Sequence, residues 1–362
     1  MVFLNFGIHL DEIKLEITNQ CFLSCIHCST NSCTNNASFL SLSNIENIIR
    51  QAQALGANNI SLSGGEPLLY PDLKQVIEMI ANYGCRSTIY TSGIAQIHPM
   101  SPMSIDYLKS FKSLNLSNLI FSIYSHKSEN HDAITGVDGS FYTTLTSLEN
   151  ALHLGLETEV HFVALKPIID DLMPLVKFLE KIGIKKISVL RFVPQGRGKN
   201  NSYNLLPDTK DFVKLSKVIN SIRKDKTIIE CRTGSPFNFL LLKKPTPCNS
   251  GRTRMIIDAE GFAYPCDALK QFKSKGLNNN NINFSSLTEI IQTGNFFRLI
   301  REAQLPDECL NCACVKKCMG GCLAQRYLGD VKYRDPACLL LTQKEYTSDK
   351  IFPHTPTKQG HS

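Results

Sequence analysis

The chain lacks a hydrophobic run long enough to cross a membrane as a helix. No stretch of its 362 residues reaches the roughly 20 uncharged apolar residues that a spanning helix needs. The N-terminal segment MVFLNFGIHLDEIK also lacks the basic start and the long apolar stretch of a secretory signal. We therefore predict a cytoplasmic protein without a membrane partner.

A concentrated basic stripe is absent as well. The formal net charge is +7, but lysine and arginine are scattered over segments of helical pattern such as 177–186 and 210–226. Scattered charge is typical of a solvated surface, whereas a nucleic-acid site requires clustered basic residues with aromatic residues between them. No nucleic-acid partner is expected, while an acidic or leader-peptide-like partner is compatible with a mildly basic surface.

Cysteine, in contrast, is abundant, with 14 residues. A chain of this length without a secretory signal is not a small disulfide scaffold, so we expect reduced thiols that serve as ligands. Cys21, Cys25 and Cys28 form a C-x3-C-x2-C triplet directly after a strand-like run at 13–17. Three thiolates on one loop can hold an iron–sulfur cluster and leave one iron open to a small molecule. A zinc knuckle is the alternative, although structural zinc sites close with four ligands.

The first 200 residues alternate short β-branched runs with amphipathic segments of helical length. This alternation indicates βα units around a parallel sheet, and six strands with five helices predict an α/β fold, an open and partial (βα)6 barrel of the TIM type. In such barrels the working loops follow the C-terminal ends of the strands, and the cysteine triplet lies on the first of them. The predicted strands are 13–17, 59–63, 86–91, 117–123, 157–164 and 185–192, and the predicted helices are 43–55, 72–83, 103–112, 141–154 and 170–182.

The second predicted strand ends in a glycine-rich turn, Gly64-Gly65-Glu66-Pro67. Glycine lets the backbone approach a ligand closely, and a carboxylate with adjacent carbonyls can accept hydrogen bonds from an ammonium group. A turn of this kind is a weak signal alone, but beside the cysteine triplet it is strong. With both motifs, residues 12 to about 200 resemble the radical S-adenosylmethionine (radical SAM) enzymes.

The resemblance implies a 4Fe–4S cluster on the triplet, with S-adenosylmethionine completing the open iron through its amine and carboxylate. One electron would then cleave the S–C5′ bond and give a 5′-deoxyadenosyl radical, which abstracts a hydrogen atom from the substrate. By position in the family pattern, Gly64, Gly65, Glu66 and Pro67 would receive the methionyl amino group. His27 would pack near the adenine, and Ser122 would bind the ribose or the carboxylate; a plain structural hydroxyl is the alternative for Ser122.

Seven cysteines in the C-terminal part match the SPASM extension of some radical SAM enzymes in every spacing. The extension carries two auxiliary 4Fe–4S clusters, and a pair of zinc ribbons is the structural alternative. Seven ligands leave one position open, which either Cys231 fills or a substrate can occupy. The resemblance assigns Cys248, Cys266 and Cys322 to the first auxiliary cluster, and Cys309, Cys312, Cys318 and Cys338 to the second.

Two further side chains are candidates for function. Asp267 follows Cys266 and matches an aspartate that takes a proton from the substrate radical in the anaerobic sulfatase-maturing branch; a turn aspartate is the alternative. Arg191 ends the sixth predicted strand, where it could meet a substrate carboxylate or pair on the surface.

The combined parts predict an oxidoreductase, because two auxiliary clusters can hold or relay an electron from the substrate radical. The substrate is a residue of a ribosomally made peptide or, alternatively, a small molecule such as a sugar alcohol; a non-catalytic iron–sulfur carrier is the third reading. Expected partners are an external electron donor of the flavodoxin or ferredoxin type and a separate peptide-recognition protein. The predicted domains are a barrel (1–200), a helical linker (201–230), a SPASM domain (231–345) and a disordered tail (346–362).

Overall fold

The computed structural model describes residues 7–34, 38–225, 229–241, 246–272, 278–329 and 334–338. The predicted tail at 346–362 lies outside these residues. Within them, no helix has both the length and the apolar character that a membrane span requires.

All six predicted strands are present within about one residue of their predicted bounds, because their β-branched runs are buried on the helix side of the sheet. The strands are β1 (Glu12–Thr18), β2 (Asn59–Gly64), β3 (Arg86–Thr91), β4 (Ile94–Ile97), β5 (Met100–Pro102), β6 (Leu116–Ser122), β7 (Thr158–Ala164), β8 (Lys186–Arg191), β9 (Glu230–Thr233), β10 (Arg254–Ile257) and β11 (Ala263–Tyr264).

The helices include the five that the periodicity predicts and several that it does not. They are α1 (Leu42–Ala54), α2 (Leu73–Asn82), α3 (Ile105–Ser113), α4 (Ser128–Thr135), α5 (Ser140–His153), α6 (Leu172–Lys181), α7 (Arg197–Asn200), α8 (Ser202–Leu205), α9 (Thr209–Lys224), α10 (Asn238–Leu241), α11 (Leu287–Thr293), α12 (Asn295–Glu302), α13 (Asp307–Leu310), α14 (Val315–Cys318) and α15 (Leu323–Gly329).

One nine-stranded sheet organises the molecule, in the order β11-β10-β1-β2-β3-β6-β7-β8-β9. Every neighbouring pair is parallel except β10 and β11, and β4 and β5 form a separate antiparallel pair. The strands β9, β10 and β11 come from beyond residue 200, so the later part of the chain extends both edges of the barrel sheet. The division into domains stays a prediction.

The two faces of the sheet differ in chemistry. On β1, Ile13, Leu15 and Ile17 are fully buried against the helices, while Lys14 and Glu16 point to the opposite, inner face. A polar inner face departs from the packed apolar interior of a closed TIM barrel. This inner face therefore provides room for a ligand that needs hydrogen bonds and charge.

Candidate functional site

The loop between β1 and α1 holds the cysteine triplet at the C-terminal end of the first strand. Helix α4, which is not among the predicted helices, supports this loop from one side. Its last carbonyls lack helical partners, and those of Thr135 and Ile134 accept hydrogen bonds of 2.9 Å from the backbone N–H groups of Ser24 and Ile26. Helix α4 thereby fixes the middle of the loop.

The triplet thiols lie close enough to influence each other's ionisation. The pKa of the Cys21 thiol is raised to about 12, mainly by burial, and Glu66 and Cys28 act in the same direction. Burial, with Cys21 and Cys28 beside it, also holds the pKa of Cys25 well above its usual range. Neighbouring thiols that oppose each other's ionisation fit a metal cluster, because bound iron supplies the positive charge that thiolates need.

The glycine-rich turn is joined to the base of the cysteine loop. The N–H groups of Gly65 and Glu66 each donate a 2.7 Å hydrogen bond, to the carbonyls of Thr18 and Gln20 respectively. A Cβ atom on Gly65 would lie 2.0 Å from the Gln20 carbonyl oxygen. The glycine therefore serves a backbone approach within the protein, which places the turn beside the cysteine loop.

Glu66 makes hydrogen bonds within the protein, and its contact with a cofactor stays a prediction. Its carboxylate is 1% exposed, and burial raises its pKa. Oε1 accepts from the Leu68 N–H and the Thr91 hydroxyl, and Oε2 accepts from the N–H and the hydroxyl of Ser92. Because a carboxylate has about four acceptor positions, the protein's own donors fill them. Glu66 thereby fixes the end of β3. The carbonyls of the turn are the groups that could accept hydrogen bonds from an ammonium ligand.

His27 and Ser122 meet at the phenol of Tyr124. The His27 ring packs edge-on against the Tyr124 ring at 4.8 Å, and the Ser122 side chain lies near enough to the Tyr124 phenol to influence its pKa. Burial lowers the pKa of His27 to about 4, and its Nδ1 atom has no partner among the described residues. The structure thus brings both residues to the cysteine loop, and their contact with a cofactor stays a prediction.

The buried ring of His131, next to Tyr124, makes the stability of the fold depend on pH. His131 is 1% exposed, its Nδ1 accepts a hydrogen bond from the Tyr124 N–H, and burial lowers its pKa to about 4. The unfolded chain binds a proton below about pH 6.5 and the folded chain only below about pH 4, so stability falls as the pH drops through this window. At pH 5.5 the expected loss relative to pH 7.5 is about 1.4 kcal/mol.

This prediction is checked by urea unfolding at both pH values in wild-type protein, His131→Gln and, as a control, His153→Gln at an exposed helix end. The glutamine at 131 should reduce the pH-dependent loss by about 1.4 kcal/mol, because an amide does not titrate, while the loss that buried His27 contributes should remain. Equal pH dependence in all three proteins would exclude His131 as the source.

The three cysteines assigned to the first auxiliary cluster come from three places in the chain: Cys248 precedes β10, Cys266 follows β11, and Cys322 directly precedes α15. Cys322 and Cys248 both raise the pKa of Cys266, in addition to the larger effect of burial. Burial raises the pKa of Cys322 to about 11, and Cys248 again contributes. Cys266 and Cys322 pack on a small apolar cluster made of Ala268, Leu269, Ile300 and Ala324.

The four cysteines assigned to the second auxiliary cluster also form one group. Burial raises the pKa of Cys318 to about 11, with Cys338 and Cys309 among the groups that raise it further. Burial also raises the pKa of Cys309, and Cys338 and Cys312 contribute to this rise. Thiols of the same predicted set thus influence each other's ionisation. The division into two sets and the ligation of iron stay predictions.

Cys231 is placed elsewhere. It lies on β9 opposite Ile187, is 6% exposed and belongs to the main hydrophobic core. Burial raises the pKa of its thiol to about 11, and the charged group beside it is Arg223. The structure does not bring Cys231 to Cys248 and its partners, because Cys231 occupies the apolar, helix-facing side of the sheet. Its role as a ligand stays a prediction that this position does not support.

We expect Cys231→Ala to retain the iron content of the wild-type protein, since the thiol fills core space. In contrast, Cys266→Ala should lose about four iron atoms per chain, one cluster's worth. The measurement is iron and acid-labile sulfide per chain after anaerobic reconstitution, with gel filtration to verify folding. If Cys231→Ala loses as much iron as Cys266→Ala, Cys231 is a ligand after all.

Asp267 lies between two lysines at the inner face. Its Oδ1 atom is 3.0 Å from the Lys14 Nζ atom and 3.3 Å from the Lys270 Nζ atom, and Lys270 also pairs with buried Glu16. Partial burial opposes ionisation, but the two ammonium groups outweigh it and hold the pKa of Asp267 well below its usual range. A carboxylate so stabilised is a weak base, so the electrostatics favour an anchor for the lysines over a proton acceptor.

Arg191 neither pairs on the surface nor reaches toward a substrate. Its guanidinium forms a buried, two-point ion pair with Asp335, with N–O distances of 2.7 and 2.6 Å and side chains 6% and 2% exposed. Asp335 also accepts from the backbone N–H groups of Cys322 and Ala337, and its carbonyl accepts from the Cys338 N–H. The sequence interpretation missed Asp335, which connects the two auxiliary sites.

Two family models match the chain. The model described as the radical SAM superfamily matches residues 15–179, and the SPASM model, described as an iron–sulfur cluster-binding domain, matches residues 248–313. The cysteine triplet falls within the first match. Of the seven cysteines assigned to the auxiliary sites, four fall within the second match and three follow it.

Curated relatives and solved structures agree over most of the chain. It is 25% identical over 334 residues to the PqqA peptide cyclase of Methylobacterium nodulans, covering 90% of this chain and 85% of that protein. It is 24% identical over 352 residues to the AdoMet-dependent heme synthase of Methanosarcina barkeri, with 90% and 95% covered. Streptococcus suis SuiB bound to precursor peptide SuiA superposes with a TM-score of 0.72 at 18% identity, over 91% of this chain and 76% of that chain. This likeness confirms the predicted partial barrel.

Proposed function

The chain belongs to the radical SAM superfamily and carries a SPASM domain, and from this premise we propose that it modifies residues of a ribosomally made peptide by radical oxidation. The observation that carries the proposal is the docking of the glycine-rich turn on the base of the cysteine loop, at the C-terminal edge of a sheet with a polar inner face. In this arrangement a cofactor at the loop faces a substrate on the inner face.

The residues have distinct roles in this proposal. Cys21, Cys25 and Cys28 would hold the cluster that binds S-adenosylmethionine, and when bound this pair supplies a 5′-deoxyadenosyl radical. The carbonyls of the turn at Gly64 and Gly65 would accept from the ammonium group of the cofactor. Glu66 acts on the site indirectly, since its carboxylate fixes the end of β3.

The inner face supports a substrate with polar or charged side chains. Lys14 lies 5.2 Å from the centre of the Tyr90 ring, which packs against His161 at 5.3 Å. His161 is in turn 3.4 Å from the carboxylate of Glu159. A chain of aromatic and charged groups along one face offers both stacking and hydrogen bonds to a peptide segment.

Two similarities favour a peptide as the substrate. One is the sequence similarity to the PqqA peptide cyclase, and the other is the fold likeness to SuiB bound to its precursor peptide. A small molecule is the second candidate, because the heme synthase relative matches as much of the chain. Oxidation is the expected reaction type: the substrate would lose a hydrogen atom to the 5′-deoxyadenosyl radical, an electron to the auxiliary sites and a proton to solvent, which together equal two hydrogen atoms. An external flavodoxin or ferredoxin would supply the electron that starts the reaction, and a separate recognition protein would present the peptide.

The first test is the production of 5′-deoxyadenosine by anaerobically reconstituted protein with S-adenosylmethionine and dithionite. We expect turnover in the wild-type protein and none in the variant in which Cys21, Cys25 and Cys28 are all alanine. Wild-type protein with full iron content but no 5′-deoxyadenosine would refute the proposal.

The second test addresses the substrate. The protein is coexpressed with short peptide-coding frames that lie beside its gene, and the peptides are analysed by mass spectrometry. A peptide that loses the mass of two hydrogen atoms in wild-type cells, and not with the triple alanine variant, supports the peptide class. Unchanged peptides together with 5′-deoxyadenosine production would favour the small-molecule candidate.

A further inference from the structure

The segment that follows β8 is hydrogen-bonded to the cysteine loop. Arg197 donates from Nε to the Cys25 carbonyl at 3.0 Å and from Nη1 to the Ser32 carbonyl at 2.7 Å. Asn201 donates to the Ile26 carbonyl at 2.8 Å. The backbone of Gly196 comes so close that a Cβ atom there would lie 2.5 Å from the Cys28 carbonyl oxygen. Several backbone carbonyls of the cysteine loop are therefore held by one short segment.

The Arg197 guanidinium carries a positive charge and donates to backbone carbonyls. None of the described carboxylates lies within ion-pair distance of it. Its Nε atom lies 3.0 Å from the carbonyl oxygen of Cys25, one of the three cysteines of the loop. The guanidinium therefore acts electrostatically on the space where the cluster would sit.

The same segment is also fixed from the auxiliary side, which sets the position of Arg197. Val193 packs on the apolar cluster that includes Cys266 and Cys322. Gln195 is 1% exposed and donates from Nε2 to the Asp267 carbonyl at 2.6 Å. The segment 193–201 thus spans from the first auxiliary site to the cysteine loop, and its two ends leave Arg197 little freedom.

We propose that Arg197 is a positioning residue that holds the carbonyls of the cysteine loop and raises the reduction potential of the cluster bound by Cys21, Cys25 and Cys28. The inference rests on the proposed function only for the presence of that cluster. Reduction adds a negative charge to the cluster, and a fixed positive charge in a partly buried site stabilises the reduced state. Removal of the charge should make the cluster harder to reduce.

The test compares Arg197→Gln, which removes the charge but retains a donor, with Arg197→Lys, which retains the charge. Lys199→Gln is the matched control, since it removes an exposed positive charge two residues away. Midpoint potentials are measured by EPR-monitored redox titration of the holoprotein. The signal is isolated by subtracting the spectrum of the triple alanine variant at Cys21, Cys25 and Cys28.

We expect Arg197→Gln to shift the reduction equilibrium about tenfold toward the oxidised state, which corresponds to about 59 mV for one electron. Arg197→Lys should retain most of the wild-type potential, and Lys199→Gln all of it. A Gln variant that loses the cluster while the Lys variant retains it also supports a role of the charge.

The proposal is overturned if Arg197→Gln has the wild-type potential, or if the Lys and Gln variants shift equally or lose the cluster equally. Equal effects of the Lys and Gln variants would mean that the hydrogen bonds from Arg197 to the loop carbonyls matter and its charge does not. These outcomes are independent of the proposed function, because the potential is measured without cofactor cleavage, whereas that function fails on the absence of 5′-deoxyadenosine from wild-type protein.

Discussion

Replacing Arg191 by methionine is expected to destabilise the protein by about 3–5 kcal/mol, because it leaves the Asp335 carboxylate buried without its partner. The guanidinium also lies over the rings of Phe239 and Phe212, at 5.0 and 5.8 Å. Since Asp335 holds the backbone of Cys322 and Cys338, the substitution should also loosen both auxiliary sites. Iron content should fall from about twelve atoms per chain toward about four.

The measurements are the urea midpoint from circular dichroism and the iron and sulfide content after anaerobic reconstitution. Lys166→Met is the matched control, because Lys166 forms a half-exposed pair with Asp208 at 3.3 Å, and such pairs contribute about 0–1 kcal/mol. Asp335→Asn and the double variant complete a cycle, for which we expect a coupling energy of about 0.5–3 kcal/mol. An Arg191→Met protein as stable and as rich in iron as Lys166→Met would contradict the prediction.

Gly65→Ala is expected to remove the cluster of the cysteine loop and with it all 5′-deoxyadenosine production. The added methyl group would overlap the backbone of Gln20, which carries the loop, and backbone cannot rotate away as a side chain can. Gly65 does not have a left-handed backbone conformation, so the substitution tests the close approach and not conformational strain. Overpacking of this kind typically costs about 1–3 kcal/mol.

Gly7→Ala is the control for this prediction, since a Cβ atom at Gly7 meets nothing within 4 Å. Iron per chain, 5′-deoxyadenosine and the urea midpoint are measured in both variants. The expected pattern is a loss of about four iron atoms in Gly65→Ala and none in Gly7→Ala. Normal iron content and turnover in Gly65→Ala would show that the turn can move away from the cysteine loop.

Regular elements were predictable because their signals are local. Each of the six strands carries buried apolar residues, and alternation separates Ile13, Leu15 and Ile17 from the inner-face residues. Helix α4 was not predicted, because its segment is rich in polar residues and its apolar face is narrow. Gly136, which ends α4 in a left-handed conformation, is the local signal that could have indicated it.

Site residues were predictable only where a motif specifies them. The triplet, the glycine-rich turn and the seven spaced cysteines are all visible in the printed sequence. Asp335 is not, although an aspartate before proline and three residues before Cys338 marks a turn. From the sequence, Arg191 could meet a substrate carboxylate or pair on the surface. In the structure it forms a buried pair with Asp335, a partner 144 residues away that no local pattern indicates.

By itself, the sequence determined the family, since cysteine spacing and glycine content are fixed by what a cluster and a tight turn require. It also determined the order of strands and helices, because hydrophobic periodicity is a local property. Only the tertiary structure decided how Glu66, Arg191 and Arg197 are used, because a charged side chain takes its role from partners distant in the chain. It likewise placed Cys231 in the core, since the side of the sheet to which a strand residue points depends on pairing and register.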